Sequence, residues 1–244
     1  MTTPGSFDAR LASARMISPS VRELVFEREG GEPVDFEPGQ WVNLLLTEEG
    51  EPLKRAYSIA SPPLGSPRFE LAVTLVEGGP GSMILHDLPL GATLRATGPQ
   101  GFFSRAAADP SPALFVATGT GVTPFRSMLL AALAAKASAP LWILFGARHE
   151  EDILYAEEMS RLTREHPNVR FEVTLSQPRA SWTGRRGYVQ THVRELWSAL
   201  CAVSPDAAPH MYICGLERMV KAVRELARKE IGVDRKQVHV ERYD

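Results

Sequence analysis

The stretch Phe115-Val116-Ala117-Thr118-Gly119-Thr120-Gly121-Val122-Thr123-Pro124-Phe125 holds the clearest chemical signal in this chain of 244 residues. An apolar strand runs into two glycines and then into a helix whose first residue is expected at Pro124, with Thr123 as its N-cap. Gly119 and Gly121 let backbone N–H groups come close to a pyrophosphate, and a helix N-terminus favours negative charge. Pro124 stands where the G-x-G-x-x-G fingerprint has its third glycine, and two-glycine turns also occur without a ligand. Taken alone, the loop leaves dinucleotide binding and a plain turn equally open. A second candidate is Cys214, which follows the apolar run His210-Met211-Tyr212-Ile213 and precedes Gly215. Buried cysteines are more often packing residues, but a strand end is where ligands bind in doubly wound sheets. Cys201 has no such setting and reads as structural.

Other chemistries find no support. His86, His149, His166, His192, His210 and His239 show no metal-ligand spacing, and no metal site is expected. The nucleophile-elbow pattern G-x-S-x-G does not occur. Two cysteines cannot supply the four thiolates of an ordinary iron–sulfur cluster, nor do they suggest a disulfide scaffold.

The elements that must position these residues change rhythm midway. Short apolar or alternating runs recur at 9–16, 21–27, 41–46, 55–60, 69–76 and 93–97, separated by turn-formers such as Gly30-Gly31 and Glu37-Pro38-Gly39. That spacing predicts a sandwich or barrel, interrupted by one helical turn at 82–87. After a linker at 106–112, strands at 113–118, 141–145, 169–175 and 211–214 alternate with helices at 124–135, 153–164, 189–200 and 217–229. Such alternation predicts a doubly wound parallel sheet. The reading is an antiparallel β-barrel domain over 1–107 joined to an α/β domain over 111–244.

A hydrophobic fraction of 44% and a charged fraction of 23% are ordinary globular values. A net charge of −2 offers no footprint for nucleic acid. No apolar run approaches a bilayer span, and no signal peptide is visible at the N-terminus, so a cytoplasmic protein is expected.

The run Arg55-Ala56-Tyr57-Ser58, with Gly81-Ser82-Met83, the 119–124 loop, Cys214-Gly215 and the ending Glu241-Arg242-Tyr243, resembles the ferredoxin–NADP reductase family. The resemblance covers nearly the whole chain in the family's order. It implies an N-terminal barrel that holds FAD and a C-terminal α/β domain that holds NADP(H). Arg55 would neutralise the FAD phosphates, Tyr57 would pack against the isoalloxazine, and Ser58 would hydrogen-bond near flavin N5. Gly81 and Ser82 would offer backbone and hydroxyl donors to the pyrophosphate, while Leu71, Ala72 and Val73 would lie along the flavin. Cys214 would contact the nicotinamide near the carbon that gives up hydride. Tyr243 would cover the flavin and Glu241 would position the nicotinamide or relay protons; Asp244, one residue beyond, departs from the plant-type ending.

The stretch Ser176-Gln177-Pro178-Arg179, followed by Arg185-Arg186-Gly187-Tyr188-Val189-Gln190, is similar to the family's NADP-binding pattern. Ser176, Arg186, Tyr188 and Gln190 match in type, with Tyr188 able to stack on adenine. Gln177 departs, since many NADPH-specific members place arginine there, and Arg148 or Arg179 could supply the charge. NADPH is favoured over NADH on the number of arginines around one loop. The implied activity is hydride transfer from NADPH to FAD, then single-electron delivery to a separate ferredoxin, flavodoxin or oxygenase component. Alternatives are an NADH-dependent oxygenase-component or free-flavin reductase, and a non-enzymatic flavin or nucleotide sensor.

Overall fold

Alternation writes the first hairpin directly. Along Ser6–Ser18 (β1) the side chains of Phe7, Ala9 and Leu11 turn inward between more exposed neighbours, and Val21–Arg28 (β2) pairs with it antiparallel. In the computed structural model, which describes residues 5–243, these strands join Trp41–Glu48 (β3), Glu51–Ser58 (β4), Arg68–Thr74 (β5) and Thr93–Gln100 (β6). The sheet order is β4-β3-β6-β1-β2-β5, antiparallel throughout. Ala60 N–H donates to Glu70 O at 2.8 Å, which ties the end of edge strand β4 to edge strand β5. Leu24, Phe26, Leu44, Phe69 and Leu71 fill the core, with Phe26 and Phe69 stacked at 5.7 Å.

One helix, Pro80–Asp87 (α1), packs on this sheet, starting two residues before the expected turn. Its last carbonyls lack intrahelical donors. Arg22 of β2 meets that need by aiming Nη1 at the carbonyls of Leu85, His86 and Leu88, which also sets a cation at the negative end of the helix. Arg22→Ala should therefore cost about 2 kcal/mol, read as a lower urea midpoint; an unchanged midpoint would show that water replaces the guanidinium at no cost.

The second unit is a parallel sheet. Ala113–Thr118 (β7), Leu141–Ala147 (β8), Val169–Leu175 (β9), Arg185–Arg186 (β10), His210–Leu216 (β11) and Val238–Tyr243 (β12) lie in the order β10-β9-β8-β7-β11-β12. β7 and β9 span the residues expected from the sequence. Ala156–Glu165 (α3), Gln190–Ala202 (α4) and Glu217–Glu225 (α5) complete it, α5 running on into a π-turn at Leu226–Ile231. The strand order reverses between β7 and β11, which makes the ends of those two strands the topological switch point.

Thr123–Ala134 (α2) groups with the first unit, together with the residues through Ala107; the second unit comprises Ala108–Val122 and the residues from Lys136 onward. The reason is polar as well as apolar. Buried Arg126 donates to Ala60 O at 2.9 Å and to Glu70, Ser127 Oγ donates to Ser61 O at 2.7 Å, and Phe125 lies 5.9 Å from Phe103. Thr123 is not an N-cap: a 3-10 turn at Gly119–Val122 precedes it, so Thr123 is already helical.

Strand β12 was not expected from the sequence. His210 Nδ1 and His239 Nε2 lie 2.8 Å apart where β11 and β12 run side by side, with the rings stacked. Burial, then the charge of His210, holds His239 below its usual value, while Asp109 acts in the opposite sense. A depressed histidine contributes stability that is present above the unfolded pKa of about 6.5 and lost as pH falls through the lower folded value. The Tm should drop on acidification below about pH 6.5, and His239→Asn should flatten that slope. An equally steep slope in the variant would place the effect elsewhere.

Candidate active site

Arg55 sits on edge strand β4, and its stem crosses the first turn of α1. A Cβ on Gly81 would lie 2.8 Å from Arg55 Cγ, so a glycine is what lets the guanidinium reach that turn. Pro80 has no N–H and Met83 N–H donates to Gly79 O at 3.1 Å, which leaves the Gly81 and Ser82 N–H groups for an external acceptor. Arg55 is exposed and, among the described residues, has no carboxylate at ion-pair distance. A cation and a helix N-terminus side by side repel one another unless an anion joins them. This donor set suits a diphosphate. The Ser82 hydroxyl is committed elsewhere: it accepts from Val76 N–H at 3.0 Å and lies 2.9 Å from Gly79 O. Ser82 therefore offers its backbone N–H and not its side chain. Met83 is exposed beside it.

Tyr57 is half-buried against the core, and burial pushes its phenol up to about 12, with Arg55 pulling the other way. It is a neutral hydroxyl at any working pH. Ser58 is buried opposite Trp41, while Ala56, exposed, pairs with Asn43. Leu71, Ala72 and Val73 are buried on edge strand β5, where Val73 O contacts His86 Nε2 at 2.8 Å.

In the second unit, the loop after β7 and the turn after β11 meet backbone to backbone. A Cβ on Gly121 would fall 2.3 Å from Cys214 O, and one on Gly215, whose φ is +142°, would fall 2.5 Å from Thr118 Oγ1. Gly119, at φ +52°, adopts the left-handed conformation that glycine tolerates best. Thr120 lies between them in the same 3-10 turn. Thr118 is a residue that sequence reasoning missed. Its Oγ1 is buried with no hydrogen-bond partner among the described residues, at the mouth of the glycine loop. A hydroxyl directly before Gly-x-Gly was the available signal.

β12 brings the chain's end to the same place. In the β11–β12 register Cys214 is opposite Glu241 and Leu216 is opposite Tyr243. Cys214 is fully buried; burial and the nearby Glu241 charge push its thiol well up, against hydrogen bonds from the Tyr243 hydroxyl and the Gly215 backbone. It is a neutral thiol. Iodoacetamide at neutral pH should leave Cys214 unmodified in the folded protein while alkylating it in the unfolded chain, as peptide mass spectrometry would report. Rapid labelling of the folded form would contradict both the burial and the raised pKa. Asp244 lies outside the described residues.

The basic loop is more fully paired than its composition suggests. Arg186 Nη2 donates to the carbonyls of Arg179, Ala180 and Trp182, pinning the loop from within. Arg185 is held by Glu172 and Glu195. Arg179 is 3.2 Å from Glu151. Arg148 is exposed and has no ion pair among the described residues. Ser176 N–H donates to Ala147 O at 3.0 Å, Tyr188 is 59% exposed and free to stack, and Gln190 opens α4.

Known proteins resemble the chain in sequence and fold. Residues 8–104 match the family described as oxidoreductase FAD-binding domain, and residues 115–225 match the oxidoreductase NAD-binding domain. The chain is 63% identical over 238 residues to ferredoxin–NADP reductase B of Sorangium cellulosum, covering 98% of each. It is 28% identical over 242 residues to the phenol hydroxylase P5 protein of Acinetobacter pittii, spanning 97% of this chain but 65% of that protein. Among solved structures, the Amycolatopsis cytochrome P450 reductase GcoB superposes with a TM-score of 0.82 at 25% identity, covering 99% of this chain and 71% of that one. Ferredoxin–NADP+ reductase of Plasmodium falciparum with 2′P-AMP gives 0.80 at 21% identity, covering 98% and 97%, a likeness of fold alone.

Proposed function

This chain belongs to the ferredoxin–NADP reductase family, and from that premise we propose that it takes hydride from NADPH onto FAD and passes electrons singly to a ferredoxin or flavodoxin. When bound, FAD supplies the hydride acceptor and the conversion from two-electron to one-electron chemistry. The protein's part is placement and electrostatics. Arg55 and the Gly81 and Ser82 N–H groups would hold the FAD diphosphate. Tyr57, as a neutral hydroxyl, and Ser58, as a short donor, would contact the flavin, and Leu71, Ala72, Val73 and Met83 would complete its seat.

Gly119, Thr120 and Gly121 open the space for the NADPH diphosphate, and Thr123 continues into the helix behind it. Arg148, Ser176, Arg179, Tyr188 and Gln190 would hold the adenosine end, with Arg186 pinning the loop that carries Arg179. The observation that carries the reading is the register of β11 with β12, which sets Cys214 against Glu241 and Tyr243 beside the glycine loop. Cys214 shapes the nicotinamide seat without adding charge. The Glu241 carboxylate favours the cationic, oxidised nicotinamide over the neutral reduced ring and so assists hydride departure. By the family resemblance, Tyr243 would be the aromatic residue that covers the flavin.

Among the described residues no helix is long and apolar enough to cross a membrane. We read the chain as cytoplasmic, with an oxygenase component as the second candidate acceptor because oxygenase reductases stand among its relatives. The test is NADPH-driven cytochrome c reduction with and without added ferredoxin. Reduction should depend on ferredoxin and on bound FAD. Equal rates with free flavin alone would favour the free-flavin reductase reading.

A further inference from the structure

Loop 176–182 is stitched to the turn that follows β8. Gln177 N–H donates to Arg148 O at 2.9 Å, and His149 Nδ1 contacts Gln177 O at 2.7 Å. Arg179 N–H donates to Glu150 Oε1 at 3.3 Å, and the Arg179 guanidinium pairs with Glu151 Oε2 at 3.2 Å. These bonds keep two carboxylates alongside the arginine that a 2′-phosphate would use. Glu150 has its second oxygen buried with no partner among the described residues, so its charge is only partly answered there. A dianionic 2′-phosphate must take Arg179 away from Glu151 and then sit near both carboxylates. A nucleotide with a free 2′-hydroxyl meets neither cost.

We propose that Glu151 is a specificity-determining residue: as the counter-ion of Arg179 it lowers the enzyme's preference for 2′-phosphorylated coenzyme and leaves NADH a usable donor. This rests on the NADPH reading above. The Arg179 and Glu151 side chains are 69% and 45% exposed, so their pairing is a modest, salt-screened interaction. Its effect on discrimination is correspondingly a few-fold. Arg148, which has no ion pair among the described residues, supplies the unopposed attraction that keeps NADPH ahead.

The test is calorimetric titration of the FAD-loaded enzyme with 2′-phospho-AMP and with AMP. Glu151→Gln should tighten 2′-phospho-AMP about three- to fivefold and leave AMP within about twofold. In an Arg179→Gln background the same substitution should gain less than about twofold, since the pair no longer exists. The ratio of kcat/KM for NADPH over NADH should rise by the same factor, with salt reducing the difference. An unchanged 2′-phospho-AMP affinity in Glu151→Gln, or an equal gain for AMP, would overturn the assignment while the coenzyme reading stood. A wild-type enzyme with no preference for 2′-phospho-AMP over AMP would overturn that reading, and this inference with it.

Discussion

Gly121→Ala should slow reduction by NADPH at least about a hundredfold while leaving FAD bound. The added Cβ would lie 2.3 Å from Cys214 O, 2.6 Å from Cys214 C and 2.8 Å from the Gly215 Cα. All three are backbone atoms at the end of β11, so no side-chain rotation can make room. Either the glycine loop or the Cys214-Gly215 turn must shift, and these two segments are the ones proposed to seat the nicotinamide. A displacement on the order of 1 Å in a reacting geometry costs about a hundredfold. Stopped-flow reduction should slow by at least about that factor, with the flavin spectrum retained because the FAD cradle is built from β4 and α1. A rate within about threefold of wild type would show that the close approach of Gly121 to Cys214 plays no part in placing the nicotinamide.

Arg55→Ala should yield protein that loses its flavin on gel filtration. The guanidinium shares its place with two free helix N–H groups, and a charge-assisted bond is worth about 1.5–3 kcal/mol, two of them in a bidentate contact. The FAD Kd should rise by roughly 10² to 10⁴, with Arg55→Lys between wild type and Arg55→Ala because an ammonium keeps the charge but loses the fork. Gly81→Ala should move in the same direction by a smaller amount, since its Cβ would meet the flexible stem of Arg55. Titration of FAD into the flavin-free variants reads all three. Retention of flavin by Arg55→Ala would remove the anion cradle from the account.

Much of the fold was legible because it rests on local pattern. The apolar runs of β7 and β9 and the glycine-to-proline transition after Thr118 are written in consecutive residues. What escaped depends on long-range pairing. The chain's end alternates only weakly, and nothing in Val238–Tyr243 announces that it will run parallel to β11. Its partner lies more than twenty residues away, so the adjacency of Cys214 and Glu241 was visible only as a family resemblance.

The same limit applies to polar side chains, whose type shows what they can bond but not what they do bond. Ser82 presented itself as a hydroxyl donor to phosphate, yet its oxygen closes the turn at Val76–Gly79. Arg186 read as a nucleotide-binding residue in a basic stretch shared with Arg185, yet Arg185 is held by two glutamates and Arg186 pins its own loop. The position of α2 was hidden for a further reason. Its sequence is continuous with the nucleotide loop, whereas Arg126 and Ser127 bond to residues 60–70 of the first unit.

The central claim is that NADPH reduces FAD held by this chain. It is tested most directly by mixing the FAD-loaded protein anaerobically with NADPH, and separately with NADH, in a stopped-flow spectrometer. The account predicts rapid bleaching of the flavin by NADPH, slower but measurable bleaching by NADH, and return of the colour when oxidised ferredoxin is added. A flavin that stays oxidised with both nucleotides would contradict it.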